Sequence, residues 1–113
     1  MEALNHFEES ILEKLALDNP VIRKHIRYLQ VRERKLTGTG MYVYFIYTPG
    51  APTLDYIQRL QVSATGYLKM EGITDGLIDS LNIADGKIDF LQLVTYDEPW
   101  DGTIRAFRFD DKM

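Results

Sequence analysis

Residues Met41-Tyr42-Val43-Tyr44-Phe45-Ile46-Tyr47 form the most β-like segment of the chain. Their β-branched and aromatic side chains fit a pleated sheet. The segment is apolar on both faces, which is typical of a strand inside a sheet. Pro49-Gly50-Ala51-Pro52 follows as a surface loop, because two nearby prolines interrupt any regular element. An internal strand is therefore predicted here.

An edge strand is predicted just before this segment. Val31, Glu33 and Lys35 alternate with Arg32, Arg34 and Leu36, which leaves the strand with a polar face. Thr37-Gly38-Thr39-Gly40 lies between the two strands, and its glycines supply the positive φ that a tight turn needs. The two strands are expected to form a hairpin.

The residues before the edge strand predict a helical hairpin, roughly over 2–16 and 20–28. Apolar residues recur every three or four positions on one face of the first helix, at Leu4, Phe7, Ile11 and Leu15. Pro20 suits the first position of the second helix, where its missing N–H has no partner to lose. The apolar spacing then continues through Ile22, Ile26 and Leu29.

Further strands are predicted after the loop. Asp85-Gly86 between two apolar runs is a hairpin signal. The strand over 88–96 has Ile88, Phe90, Val94 and Tyr96 on one face and Leu91 and Leu93 on the other. Shorter strands are expected to end near Ser63 and to run over 66–70, with a turn at 72–76. A last strand is expected over 104–109.

These elements predict one α+β domain over residues 1–113, with the N-terminal helical hairpin packed on a mostly antiparallel sheet of five to six strands. No internal repeat or separating linker interrupts the chain. If the helices cover one face of the sheet, the other face is exposed, covered by a loop, or used for contact.

Composition excludes several classes of protein. The chain of 113 residues contains no cysteine, which excludes a disulfide scaffold, a thiolate metal site and a cysteine nucleophile. No apolar run approaches the roughly 18 residues of a membrane helix. The first residues are acidic and do not resemble a secretory signal. We therefore expect a cytoplasmic protein.

Charge is distributed unevenly along the chain. Residues 23–35 have a net charge of +5, whereas residues 71–113 carry 4 basic and 10 acidic side chains. Either these segments pair across the fold, or the acidic part meets a basic partner. A chain with net charge −4 is a poor nucleic-acid binder, because phosphates require a clustered basic surface.

No residue pattern predicts a catalytic, cofactor or metal site. His6 and His25 lie on different predicted helices, outside any zinc motif. The aspartates that recur through 75–89 lack the spacing of a calcium loop, so Asp79 and Asp89 are expected to point outward from strands. The serines lie in no nucleophile elbow.

The residues most typical of a binding site lie in one loop, residues 96–101, which we call the acidic loop. Aromatic anchors and carboxylates are the usual components of a charged protein interface. The predicted partner-binding residues are Tyr96, Asp97, Glu98, Trp100 and Asp101. As an alternative, Trp100 folds back onto the sheet as a core residue.

Three tyrosines on the central strand form a second candidate. Tyr42 and Tyr44 share one face of the sheet, which we call the tyrosine face; Tyr47 lies farther along the strand. Tyrosine combines an apolar ring with a polar tip, which suits interfaces. If the helices leave this face uncovered, we expect it to bind a partner protein or a second copy.

Two stretches resemble a set of small uncharacterised bacterial proteins. Residues 34–42 are similar to R-E-F/Y-T-G-x-G-F/M-F/Y, and residues 85–100 to D-G-x-I/L-x-x-L-E-x-x-x-Y-D-E-P-W, with Gln92 at the acidic position. Together they cover about a quarter of the chain. The resemblance implies a shared fold and, more loosely, a likeness to toxin-neutralising immunity proteins.

The sequence thus favours a small protein-binding domain, of which an immunity protein is one specific form, with a partner that presents a basic surface. A homodimer is a related possibility. The alternative is a small enzyme or ligand-binding protein with a pocket between helices and sheet, for which no cofactor is expected.

Overall fold

The computed structural model describes residues 1–63 and 68–110. Two helices precede an antiparallel sheet, as the sequence predicted. The helices are α1 (His6–Asp18) and α2 (Pro20–Ile26). The strands are β1 (Leu29–Leu36), β2 (Gly40–Tyr47), β3 (Gln61–Val62), β4 (Leu68–Met70), β5 (Leu77–Ala84), β6 (Lys87–Thr95) and β7 (Phe107–Phe109). The strand order is β1-β2-β6-β5-β4-β7, with β3 paired to β5.

Local signals set the ends of both helices. Asn5 and Glu8 form a capping box, in which each side chain accepts a hydrogen bond from the other residue's backbone N–H. The helix therefore begins at His6, later than predicted, and Glu2 instead forms an antiparallel bridge with Val31. Pro20 begins α2 as predicted, but Leu29 already belongs to β1.

The predicted hairpin of β1 and β2 is confirmed, with β1 at the sheet edge and β2 inside the sheet. β2 passes so close to β6 that a Cβ at Gly40 would lie 2.2 Å from the carbonyl oxygen of Leu93. Only a hydrogen fits at that position, so this glycine allows the two central strands to pair.

The second hairpin joins β5 and β6 at Asp85-Gly86, as predicted. Both turn residues have positive φ, 55° and 76°, which a type I′ turn requires. The register shifts between Asn82 and Ile83, opposite Asp89, so one extra residue lies in β6. This bulge turns Ile88 into the core and away from Phe90, so the sequence prediction of one shared face was wrong.

The remaining strands are shorter than predicted. β3 has only two residues, and the predicted strand over 66–70 is seen as β4, its first two positions lying outside the described residues. β7 forms only at Phe107–Phe109, because its partner β4 is three residues long. Residues 104–106 have no strand to pair with and stay irregular.

One hydrophobic core joins the helices to one face of the sheet. Apolar side chains of α1 and α2 pack with the inward side chains of β2, β5 and β6. The core-facing centre of the sheet is Met41, Val43 and Phe45 on β2, Leu81 on β5, and Leu91 and Leu93 on β6. Among the described helices, neither is long and apolar enough to cross a membrane. The alternate positions of these strands point to the opposite face.

Candidate functional site

The tyrosine face lies on the side of the sheet away from the helices. The rings of Tyr42 and Tyr44 stack with centroids 6.0 Å apart and an interplanar angle of 20°. Phe90 on β6 packs against both, at 5.5 and 5.6 Å. The guanidinium of Arg32 lies 5.2 Å from the ring centroid of Tyr44. The three rings are half-buried and pack against one another.

The centre of this face carries no charge. The outward positions of β2, β5 and β6 are Tyr42, Tyr44, Ile46, Ile78, Ser80, Asn82, Phe90, Gln92 and Val94. Charged side chains lie at its margins: Arg32, Glu33 and Lys35 on β1, and Asp89 at the bulge, where its carboxylate accepts a hydrogen bond from the Asn82 amide. An aromatic, uncharged centre within a charged rim is the composition of a protein interface.

Tyr47 belongs to a different environment from the other two tyrosines. Its hydroxyl accepts a hydrogen bond from the Ile88 backbone N–H at 2.8 Å and lies 2.7 Å from Nδ1 of His25. Burial raises the pKa of Tyr47, and the hydrogen bond from Ile88 partly opposes this effect. Tyr47 therefore ties α2 to the sheet and takes no part in the tyrosine face.

His25 is buried, with both ring nitrogens occupied. Nε2 lies 2.7 Å from the carbonyl oxygen of Asp55, which only accepts, so Nε2 carries the proton. In this tautomer Nδ1 accepts from the Tyr47 hydroxyl. Because Nε2 holds the loop after β2 and Nδ1 bonds the end of β2, His25 is a structural residue. His6 is exposed on α1.

The acidic loop is held by its own side chains. Trp100 is 6% exposed, and its Nε1–H donates to the Thr103 carbonyl, so the indole is a core residue, as the alternative prediction had it. Glu98 accepts from the backbone N–H of Thr74 at 2.8 Å. Asp101 accepts from the Thr103 N–H, which lowers the pKa of Asp101. These contacts hold the loop in one shape.

Tyr96 and Asp97 are exposed members of the loop, as are Pro99 and Asp101. Tyr96 is 42% exposed, and Asp97 is exposed with a φ of 64°. The alternation of β6 places Tyr96, directly after the strand, in the outward row of Phe90, Gln92 and Val94. The exposed end of the acidic loop therefore extends the tyrosine face.

Two clefts are candidates for small ligands. One of 470 Å³ lies beside the acidic loop and is lined by Trp100, Asp101, Glu71 and Arg105, among others. The other, of 330 Å³, is lined mostly by the loop over 48–54, together with His25 of α2 and Tyr47 and Lys87 of the sheet; we call it the α2 cleft. Clefts of about 300–1,000 Å³ hold small molecules, so the α2 cleft is at the low end of that range.

The basic and acidic segments do not pair with each other in the described part of the chain. Ion pairs of the basic segment join Arg23 to Glu13, Lys24 to Asp55, and Arg34 to both Glu2 and Glu8. All four of these acidic partners precede residue 71. In the described part of the C-terminal segment, Asp110 pairs with Arg108 of the same segment.

Arg34 and Glu8 form the most buried of these ion pairs. The guanidinium donates Nε–H to Oε2 at 2.7 Å and a second N–H to Oε1 at 2.9 Å, and Glu8 is 1% exposed. These hydrogen bonds raise the pKa of Arg34. The pair fixes α1 against β1 and explains one charged position of the predicted edge strand.

The aspartates do not form a cation site. Asp79 faces the core and is 1% exposed, which corrects the prediction that it points outward. Asp85 serves the turn, and Asp89 bonds Asn82. Within residues 1–63 and 68–110, no three histidine, aspartate or glutamate side chains come together as metal ligands.

Sequence reasoning identified the two tyrosines but missed three residues around them. Phe90 was assigned the correct outward alternation with Val94, although nothing in the sequence placed it beside Tyr42. Arg32 and Asp89 both lie at register shifts, which the alternation of apolar residues does not reveal.

The chain matches no protein-family model, no curated protein and no solved structure. Its function is therefore argued from the geometry of the site.

Proposed function

We propose that this chain is a cytoplasmic protein-binding domain, and that the tyrosine face is its contact surface. One observation carries the proposal: the face that the helices leave uncovered has an aromatic, uncharged centre and a charged rim. Ordinary solvent-facing sheets alternate inward apolar residues with outward polar ones. Here three aromatic rings and three aliphatic side chains occupy the outward positions instead.

Side-chain hydroxyls on this face support the proposal. In the described structure, no internal hydrogen bond engages the Tyr42 or Tyr44 hydroxyl, whereas the Tyr47 hydroxyl has two. Tyrosine contributes to interfaces through a large ring and a polar tip that bonds across the contact. The two outward tyrosines keep both features available to a partner.

The acidic loop adds charge at one end of the face. Asp97, with the net charge of −6 over residues 71–113, favours a partner with a basic surface and speeds association. Neutralisation of a basic toxin by an immunity protein is one specific form of this function. The resemblance of residues 34–42 and 85–100 to small bacterial proteins is consistent with that form.

Affinity capture from the cells that make the protein tests the proposal. The bait is compared with the double variant Tyr42→Ser, Tyr44→Ser, and with a matched control, Tyr56→Ser, which removes a 58% exposed tyrosine elsewhere. We expect a protein that the native bait and the control retain and the double variant loses. Equal retention by all three baits, each shown to be folded, would overturn the proposal.

A charge-neutralised bait tests the contribution of the acidic loop. Asp97→Asn with Glu98→Gln removes two charges but keeps a side-chain oxygen to cap Thr74. We expect binding to weaken, and its dependence on salt to become less steep. Unchanged affinity at low salt would show that the loop takes no part.

Binding of a small ligand in the α2 cleft is the second candidate, because one helix residue, two sheet residues and the loop over 48–54 enclose that cleft. His25 is already bonded at both nitrogens, so the cleft lacks a ready general base. This candidate predicts that Lys87→Ala abolishes ligand binding while protein capture persists.

A further inference from the structure

We propose that the partner on the tyrosine face is a second copy of this chain, packed face to face about a two-fold axis that runs parallel to the strands between β2 and β6. This inference rests on the proposed function and identifies the protein that binds the tyrosine face.

Four residues of the tyrosine face lie side by side across the sheet. The register aligns Glu33, Tyr44, Phe90 and Asn82 in one row across β1, β2, β6 and β5. Arg32 lies over Tyr44 at the β1 end, and Asp89 bonds Asn82 at the β5 end. The β1 end of the row therefore carries the guanidinium of Arg32 beside Glu33, and the β5 end carries the carboxylate of Asp89 beside Asn82.

Such a row is complementary to its own reversal. A two-fold axis between β2 and β6 places β1 over β5 of the second copy and β2 over β6. Tyr44 then lies on Phe90 of the second copy, and Arg32 meets Asp89. Every contact occurs twice, as a two-fold interface requires.

The other charged groups at the margin do not oppose this arrangement. In the same register, Glu33 faces the amide of Asn82, and Lys35 faces Ser80, since Lys35, Tyr42, Gln92 and Ser80 form the next row. Arg32 and Lys35 outnumber Glu33 at the β1 margin, so the net charge that meets Asp89 of the second copy is positive. The basic strand β1 of one copy therefore meets Asp89 at the bulge of the other copy, so groups of opposite charge are paired across the interface.

The area fits a dimer that dissociates readily. Four strands about 4.8 Å apart and about 27 Å long give a flat face of roughly 500 Å² per copy. The total of about 1,000 Å² is close to the minimum for a specific interface. We expect a dimer whose population depends on protein concentration.

Sedimentation velocity on charge-reversed variants tests the inference. Arg32→Glu alone places two carboxylates together at each contact, and Asp89→Arg alone places two guanidiniums together. Either variant should raise the dimer dissociation constant at least about tenfold. An equimolar mixture should restore the dimer, because Glu at 32 then meets Arg at 89, and Asp89 meets Arg32.

The outcomes separate the inference from the proposed function. If the wild-type protein stays monomeric, or if the mixture of the two variants stays monomeric, the inference that a second copy binds the tyrosine face is wrong. A different protein lost on Tyr42→Ser, Tyr44→Ser would then leave the proposed function standing. If Asp89→Arg does not fold, Asn82→Lys places the charge on the neighbouring strand and is mixed with Arg32→Glu in its place.

Discussion

Removing the Tyr47 hydroxyl should destabilise the fold, whereas removing the hydroxyls of the tyrosine face should not. Tyr47→Phe leaves two groups without their partner, the Ile88 N–H and Nδ1 of His25. An unsatisfied buried group costs about 1–3 kcal/mol. The α2 cleft reaches Tyr47 and lets water approach these groups, so we expect the cost of each to lie near the lower end of that range. The expected loss in the free energy of unfolding is about 2–3 kcal/mol, or roughly 10 °C in Tm.

Urea unfolding followed by circular dichroism measures this loss, provided the slope with denaturant stays the same. Tyr44→Phe is the matched control, because it removes the same atom from an outward ring. We expect its free energy of unfolding to change by less than about 0.5 kcal/mol. A loss below that value for Tyr47→Phe, or an equal loss for both variants, would refute the assignment of the three tyrosines to two environments.

Further predictions concern pH, the buried ion pair and the close strand contact. Since the pKa of Tyr47 is raised in the folded state, wild-type stability should fall as pH rises above 10, and Tyr47→Phe should lack that part of the fall in alkaline urea titrations. Arg34→Met should cost about 3–5 kcal/mol because it strands the buried Glu8 carboxylate, whereas Arg27→Met on the exposed surface should cost little in the same assay. Gly40→Ala should prevent β2 from reaching β6 and lower Tm more than Gly50→Ala, whose added Cβ meets no atom within 4 Å and is penalised only by the positive φ of 81°.

Much of the fold is encoded in short sequence signals. Pro20 begins a helix, and Asp85-Gly86 makes a hairpin, because each has a backbone preference that tertiary contacts need not supply. The alternation around Val43 predicted the two faces of β2 correctly, because successive side chains of a strand point to opposite faces. The start of α1 depends on Asn5 and Glu8, a signal that is present in the sequence but that the apolar spacing alone does not reveal.

Other features depend on contacts distant in sequence. The bulge at Asp89 changes which side chains share a face, and apolar alternation cannot locate it. The length of β7 depends on its short partner β4. Asp79 lies at an inward position of β5, where the other inward residues are apolar. Its charged side chain therefore led to the wrong prediction that it points outward.

The candidate site was only half predictable. Alternation placed Tyr42 and Tyr44 on one face, but which face the helices cover is a matter of tertiary packing. Trp100 shows the converse, since an aromatic residue within an acidic loop has the composition of an interface anchor but is buried. Composition thus indicates which side chains are suited to an interface, whereas tertiary packing determines whether those side chains are exposed to a partner.

Photocrosslinking from the tyrosine face tests the central claim most directly. Benzoylphenylalanine replaces Tyr44 in one sample and Tyr56 in another, and intact cells that make the protein are irradiated. The account predicts an adduct from position 44 and none from position 56, with a mass about twice 13.1 kDa if the partner is a second copy. Absence of any adduct from position 44, while position 56 crosslinks, would contradict it.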